Sequence, residues 1–163
     1  MIILGLDPGV ATTGYGVLQK LAGKITAIDY GVIRTPAGQP SPDRLHTIYN
    51  ELNRLFDTHR PDSFVTERLF FSKNETTAFI VGRTIGVALL VAAQRSVDWV
   101  EYTPPEVKMA VVGYGSAEKK QVQYMIQRLL NLPAPPKPDD AADALAVAIC
   151  HAHSARILGL NQG

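Results

Sequence analysis

Four acids stand where the chain gives a carboxylate little reason to sit in plain solvent: Asp7, Glu67, Asp140 and Asp143. Asp7 closes the run Ile2-Ile3-Leu4-Gly5-Leu6, followed by Pro8-Gly9, which reads as a buried strand ending in a turn. Side chains alternate along a strand, so Ile3, Gly5 and Asp7 share one face. An acid at the end of a buried strand is costly to desolvate unless it is paired or bound to metal. The alternative is a solvated turn cap. Glu67 closes a second such run, Ser63-Phe64-Val65-Thr66. Asp140 and Asp143 stand three apart and so share one face of the last helix, heading a stripe that continues through Ala144 and Val147. Helix capping accounts well for Asp139, partly for Asp140 and poorly for Asp143, which lies too deep to cap. Hard oxygen donors without a Cys or His cluster suit Mg²⁺ or Mn²⁺ rather than zinc. Two such ions roughly 4 Å apart clamp the attacking and leaving oxygens of a phosphodiester.

The elements that must position these acids follow from periodicity and turn chemistry. Thr13-Gly14-Tyr15-Gly16-Val17-Leu18 continues as a second strand, Ala22-Gly23 as a hairpin turn, and residues 25–33 as a third strand, together an antiparallel meander. After a Pro- and Gly-rich loop over 35–42, Leu45, Ile48, Leu52, Leu55 and Phe56 predict a helix over 43–59. A strand over 63–67, a long helix from 74 or 75 to 94 and a strand over 97–102 come next. Thr103-Pro104-Pro105 turns into a short helix carrying Lys108. Ser116 is expected to cap a helix reaching 131, and a Pro-rich connection over 133–138 leads to the last helix, with Asp139 as its N-cap. The pattern predicts an α/β fold: a mixed five-stranded sheet, with a three-strand antiparallel meander plus parallel strands and helices on both faces.

Composition narrows the function classes. The chain has 163 residues, 46% hydrophobic and 19% charged, enough for a folded core and unlike a disordered chain. The longest apolar stretch, 85–93, is about half of what a bilayer requires, so no membrane association is expected. Met1 leads straight into strand without a basic leader, and the single Cys150 excludes an intrachain disulfide. Both suit a cytoplasmic protein, with Cys150 as core filler. A net charge of +1 means that a nucleic-acid partner must be met by a local basic surface. His46, His59, His151, His153 and Arg68 read as surface or rim residues.

Four motifs, taken together, resemble those of the RuvC family of crossover junction endonucleases. They are Leu4-Gly5-Leu6-Asp7-Pro8-Gly9 with Thr13-Gly14-Tyr15-Gly16; Glu67-Arg68-Leu69-Phe70 with Lys73-Asn74; Val112-Gly113-Tyr114-Gly115-Ser116-Ala117-Glu118-Lys119; and Asp140-Ala141-Ala142-Asp143-Ala144-Leu145-Ala146. The match is collinear over 1–156, implying one nuclease domain there and a short tail over 157–163. The resemblance implies a ribonuclease H-like fold, a homodimer, two Mg²⁺ ions per site with Mn²⁺ as substitute, and resolution of Holliday junctions by paired nicks in recombination and repair. It implies four-way junction DNA and the RuvA–RuvB branch-migration complex as partners. By position it makes Asp7, Glu67, Asp140 and Asp143 the catalytic, metal-binding acids, with Asp140 favoured over Asp139 as the inward member of that pair.

The same resemblance assigns DNA contacts. Phe70 becomes a base-stacking ring while Phe71 packs, although two adjacent Phe residues are by composition ordinarily core. Lys119 and Lys120 fall in the first turn of a helix, where a cation opposes the helix dipole. Read alone they are a solvated turn; with the family pattern, Lys119 and Lys108 contact the DNA backbone. Two readings compete. Asp-Pro-Gly followed by Thr-Gly-Tyr-Gly also looks like the phosphate-cradling hairpin of actin- and sugar-kinase-like ATPases, which need a second lobe. A non-catalytic nucleic-acid-binding module on the same scaffold would have no use for all four acids. Apolar residues on more than one face of the helix over 74–94, with Gly82 and Gly86 one turn apart, predict that this helix builds the dimer.

Overall fold

Alternating burial along the first strand organises the molecule. The computed structural model describes residues 1–9, 11–36, 38–68 and 75–154. Phe70, Phe71 and the tail over 157–163 lie outside them. Strands β1 (Ile2–Pro8), β2 (Thr12–Leu21), β3 (Lys24–Arg34), β4 (Ser63–Glu67) and β5 (Asp98–Tyr102) form one sheet in the order β3-β2-β1-β4-β5. β1, β2 and β3 are the expected antiparallel meander, and β1–β4 and β4–β5 are parallel. Ala22 and Gly23 turn the hairpin, both at positive φ.

The helices are α1 (Ser41–His59), α2 (Glu75–Gln94), α3 (Pro104–Val112), α4 (Lys119–Leu129) and α5 (Asp139–Ser154). Leu4, Leu6, Val17 and Phe64 point to one face, where they meet Ile48, Leu52, Leu55 and Phe56 of α1 and Ala88, Val91 and Ala92 of α2. Ile3, Leu18 and Val65 point to the other, against Val107 and Val111 of α3, Val122 and Ile126 of α4, and most of α5. Each sheet face thus has its own core, as period-2 burial in a strand covered on both sides requires. By length and composition Thr76–Gln94 could cross a membrane. Here its inner side, with Val81, Ile85, Ala88, Val91 and Ala92, is buried.

α5 lies on the sheet at backbone contact distance. A Cβ at Gly5 would come 2.2 Å from the Ala144 carbonyl oxygen, and one at Gly14 would come 2.0 Å from that of Asp140. Ala141, Ala142, Ala144 and Ala148 on α5 match this closeness; all are fully buried. Small residues on both sides let the helix settle until backbone meets backbone.

Two expected helix starts are corrected. α4 begins at Lys119 with Glu118, not Ser116, as N-cap; the Glu118 N–H donates to Gln121 Oε1 at 2.8 Å. The helix ends at Leu129, short of 131, and Asn131 takes a positive φ. In α5, Asp139 is the first helical residue and the Pro138 carbonyl accepts from Ala141 and Ala142, so Asp139 is not the cap. Its carboxylate is engaged elsewhere.

Candidate active site

The site lies where the parallel strands β1 and β4 end. Their last paired residues are Leu6 and Thr66, and the next residues are Asp7 and Glu67. By alternation both share the face covered by α5. Asp7 pairs across β1–β2 with Gly14, the residue directly beneath the Asp140 carbonyl. The missing side chain at Gly14 is what allows the first turn of α5 to stand over Asp7. Asp140 Oδ1 comes within 3.9 Å of where a Gly9 Cβ would be. One turn of α5 and two strand ends therefore direct Asp7, Glu67, Asp140 and Asp143 at a common space.

The electrostatics carry the mark of that convergence. Burial, followed by the charges of Asp143, Asp140 and Glu67, pushes the Asp7 carboxyl from 3.8 up to about 7, against the opposing pull of Lys119. Burial and then Asp143 raise Glu67, with Lys108 opposing. Burial raises Asp143 as well, helped by Asp139 and Asp140 and resisted by Lys119. Carboxylates so placed repel one another and gain from a cation between them.

Two lysines face this cluster. Lys119 Nζ donates to Asp143 Oδ2 at 3.1 Å and lies 3.3 Å from Asp139 Oδ2. Lys108 projects from α3, whose start is fixed by the Thr103 and Glu106 capping box, and is near enough to act on Glu67. Among the described residues no three Asp, Glu, His or Cys side chains are close enough, as they stand, to hold a metal ion. The donor chemistry nonetheless fits one: oxygen ligands only, mutually repelling, on two strand ends and one helix turn. Asp7, Glu67, Asp140 and Asp143 are the residues that could hold it.

Comparison with known proteins gives the family and the fold. The family model for the crossover junction endodeoxyribonuclease RuvC matches residues 3–151. The chain belongs to the RuvC family. It is 55% identical over 157 residues to the RuvC of Ruminiclostridium cellulolyticum, covering 96% of this chain and 95% of that one. It is 54% identical to that of Alkaliphilus metalliredigens, covering 98% of each. Thermus thermophilus RuvC in complex with Holliday junction substrate superposes with a TM-score of 0.91 at 34% identity, over 96% of each chain. The fold is accordingly the ribonuclease H-like one that the RuvC resemblance implied.

Other sequence readings fare unevenly within this RuvC scaffold. Cys150 is buried core, its thiol pushed up to about 11 by burial, as befits inert filler. His46, His153 and Arg68 are exposed as expected. His151 is not a rim residue: it is fully buried, with Nδ1 2.9 Å from the Tyr102 hydroxyl. Burial, and then the charge of Lys20, holds its pKa below the ordinary value. His59 is a partly buried rim residue, 14% exposed and 2.9 Å from Asp29 Oδ2. The signal for His151 was its place in an otherwise apolar helical run. Asp139, expected as the N-cap, instead joins α5 to α4 through Lys119 and Gln123.

Proposed function

We propose that this protein resolves Holliday junctions as a structure-selective endonuclease in recombination and repair, through paired symmetric nicks made by Asp7, Glu67, Asp140 and Asp143. The observation that carries the role of these acids is their convergence at the ends of β1 and β4 under the first turn of α5, where burial and then the charges of the other three lift Asp7 to about 7. We take the cofactor to be Mg²⁺, two ions per site, with Mn²⁺ able to replace it. When bound, such ions supply activation of the attacking water and stabilisation of the leaving oxygen.

The chain's own residues bind and orient the substrate. Lys119, at the N-terminus of α4, and Lys108, on α3, stand on the rim of the cluster and contact the DNA backbone. Phe70, outside the described residues, follows Glu67 in sequence and stacks on a base at the opened junction. Phe79, Leu90, Gly82 and Gly86 form an exposed apolar stripe on α2, and we assign it to the homodimer contact. Branch-migration proteins of the RuvA–RuvB kind would deliver the junction, in the cytoplasm.

The test is a synthetic four-way junction incubated with and without Mg²⁺, with the cuts mapped. Metal-dependent nicks at symmetric positions in two strands are expected. A single unpaired nick, or cutting of linear duplex as readily as junctions, overturns the reading. ATP titration by calorimetry should give no heat, in contrast to a kinase-like ATPase.

A further inference from the structure

Asp139 is the acid that the metal reading leaves over. It is exposed at the start of α5, yet both its oxygens are engaged: Oδ1 accepts from Gln123 Nε2 at 2.9 Å, and Oδ2 lies 3.3 Å from Lys119 Nζ. The same ammonium bonds Asp143 Oδ2 at 3.1 Å. One lysine of α4 is therefore shared by two carboxylates a turn apart on α5, one outside the cluster and one within it.

That sharing matters because Asp143 Oδ2, while it accepts from Lys119, is less available to a divalent cation, and the ammonium and the cation repel each other there. A lysine with Asp143 as its sole partner would compete with the cation for that oxygen. A second carboxylate already in contact lets Lys119 release Asp143 without going to solvent. Gln123, one turn along α4 from Lys119, holds the Asp139 carboxylate so that its free oxygen faces the ammonium. The arrangement thus has a fixed outer anchor and an inner partner that can be given up.

We propose that Asp139 is a positioning residue that retains Lys119 at the mouth of the site while Asp143 turns to a divalent cation. This inference rests on the reading of Asp143 as a metal ligand given above. It distinguishes Asp139 from a plain helix-dipole acid, whose effect on cation binding would not depend on Lys119.

The test is calorimetric titration of the full chain with MgCl₂, without DNA, on wild type, Asp139→Asn, Lys119→Ala and the double variant. Asp139→Asn is expected to weaken Mg²⁺ binding roughly two- to fivefold, the span an exposed ion pair supplies. Lys119→Ala should tighten binding by a comparable factor. On the Lys119→Ala background, Asp139→Asn should then change little, and Asp139→Glu alone should restore most of the wild-type affinity. An equal loss with and without Lys119 would mean that Asp139 acts as bare charge, and the proposal fails. If Asp143→Asn abolishes Mg²⁺ binding but the cycle shows no coupling, the inference falls while the metal reading stands. Failure of folded wild type to take up Mg²⁺ overturns both.

Discussion

Asp7 ties folding to pH. Its carboxyl sits near 7 in the folded protein, through burial and three like-charged neighbours, against an ordinary value of 3.8. A raised carboxyl stabilises the fold fully only below the unfolded value, and that contribution is lost as pH climbs through 7. In metal-free protein, Asp7→Asn should therefore be more stable than wild type at pH 8 by on the order of 1–3 kcal/mol, the gap closing towards pH 4. Urea unfolding at several pH values measures it, and a gap that widens on acidification contradicts the assignment. The same variant should still bind junctions and fail to cut them. Lys119→Ala should weaken junction binding across sequences and flatten its salt dependence by about one phosphate's worth. An unchanged slope would leave Lys119 without a DNA contact.

Among the elements, α5 bears most of the site, and its seat on β1 and β2 is set by backbone contact. A methyl at Gly14 would stand 2.0 Å from the Asp140 carbonyl oxygen, so Gly14→Ala must lift the first turn of α5. We expect a loss of about 1–3 kcal/mol, the usual range for overpacking, and a larger proportional loss of cleavage than of junction affinity. Thermal unfolding alongside cleavage assays checks both. Unaltered kinetics would show that the turn is not held where the glycine allows it.

The strands and the acids that end them were legible because each rests on local patterning: apolar runs stopped by a carboxylate and a turn. The adjacency of Ala27 and Ile28 was less readable. A bulge between Val17 and Leu18 pairs them with Asp29 and Ala27, leaving Ile28 45% exposed. Register slips of this kind come from long-range pairing, which a strand's own residues do not encode. The start of α4 was misread for a similar reason. Ser116 is the better cap by type, but Ala117 beside it is drawn into the core, and the helix begins after Glu118. His151 and Asp139 depended on partners from β5 and α4, distant in sequence, so their surroundings became visible only in the fold.

At the scale of the whole molecule, the outer side of α2 remains to be covered. Phe79 is 70% exposed and Leu90 53%, while Cβ atoms added at Gly82 or Gly86 would meet nothing within 4 Å. In a lone chain Gly82→Ala should therefore stabilise α2 by about 0.5–1 kcal/mol. Against a closely approaching second copy it should instead weaken association. Leu90→Glu should yield monomers by sedimentation that keep their fold but no longer make paired nicks. Wild type that sediments as a monomer at micromolar concentration, yet cuts both strands in concert, would refute the α2 dimer.

A dimer closed over the stripe on α2 would also make dose a property of the fold. Apolar surface that one copy leaves open and another closes contributes to stability only in proportion to how often the two meet. The melting temperature should climb with protein concentration. Junction DNA, which offers two equivalent strands at one crossing, then becomes the place where two copies are brought to high local concentration. Cutting competence would be acquired there, in pairs, and surrendered on release.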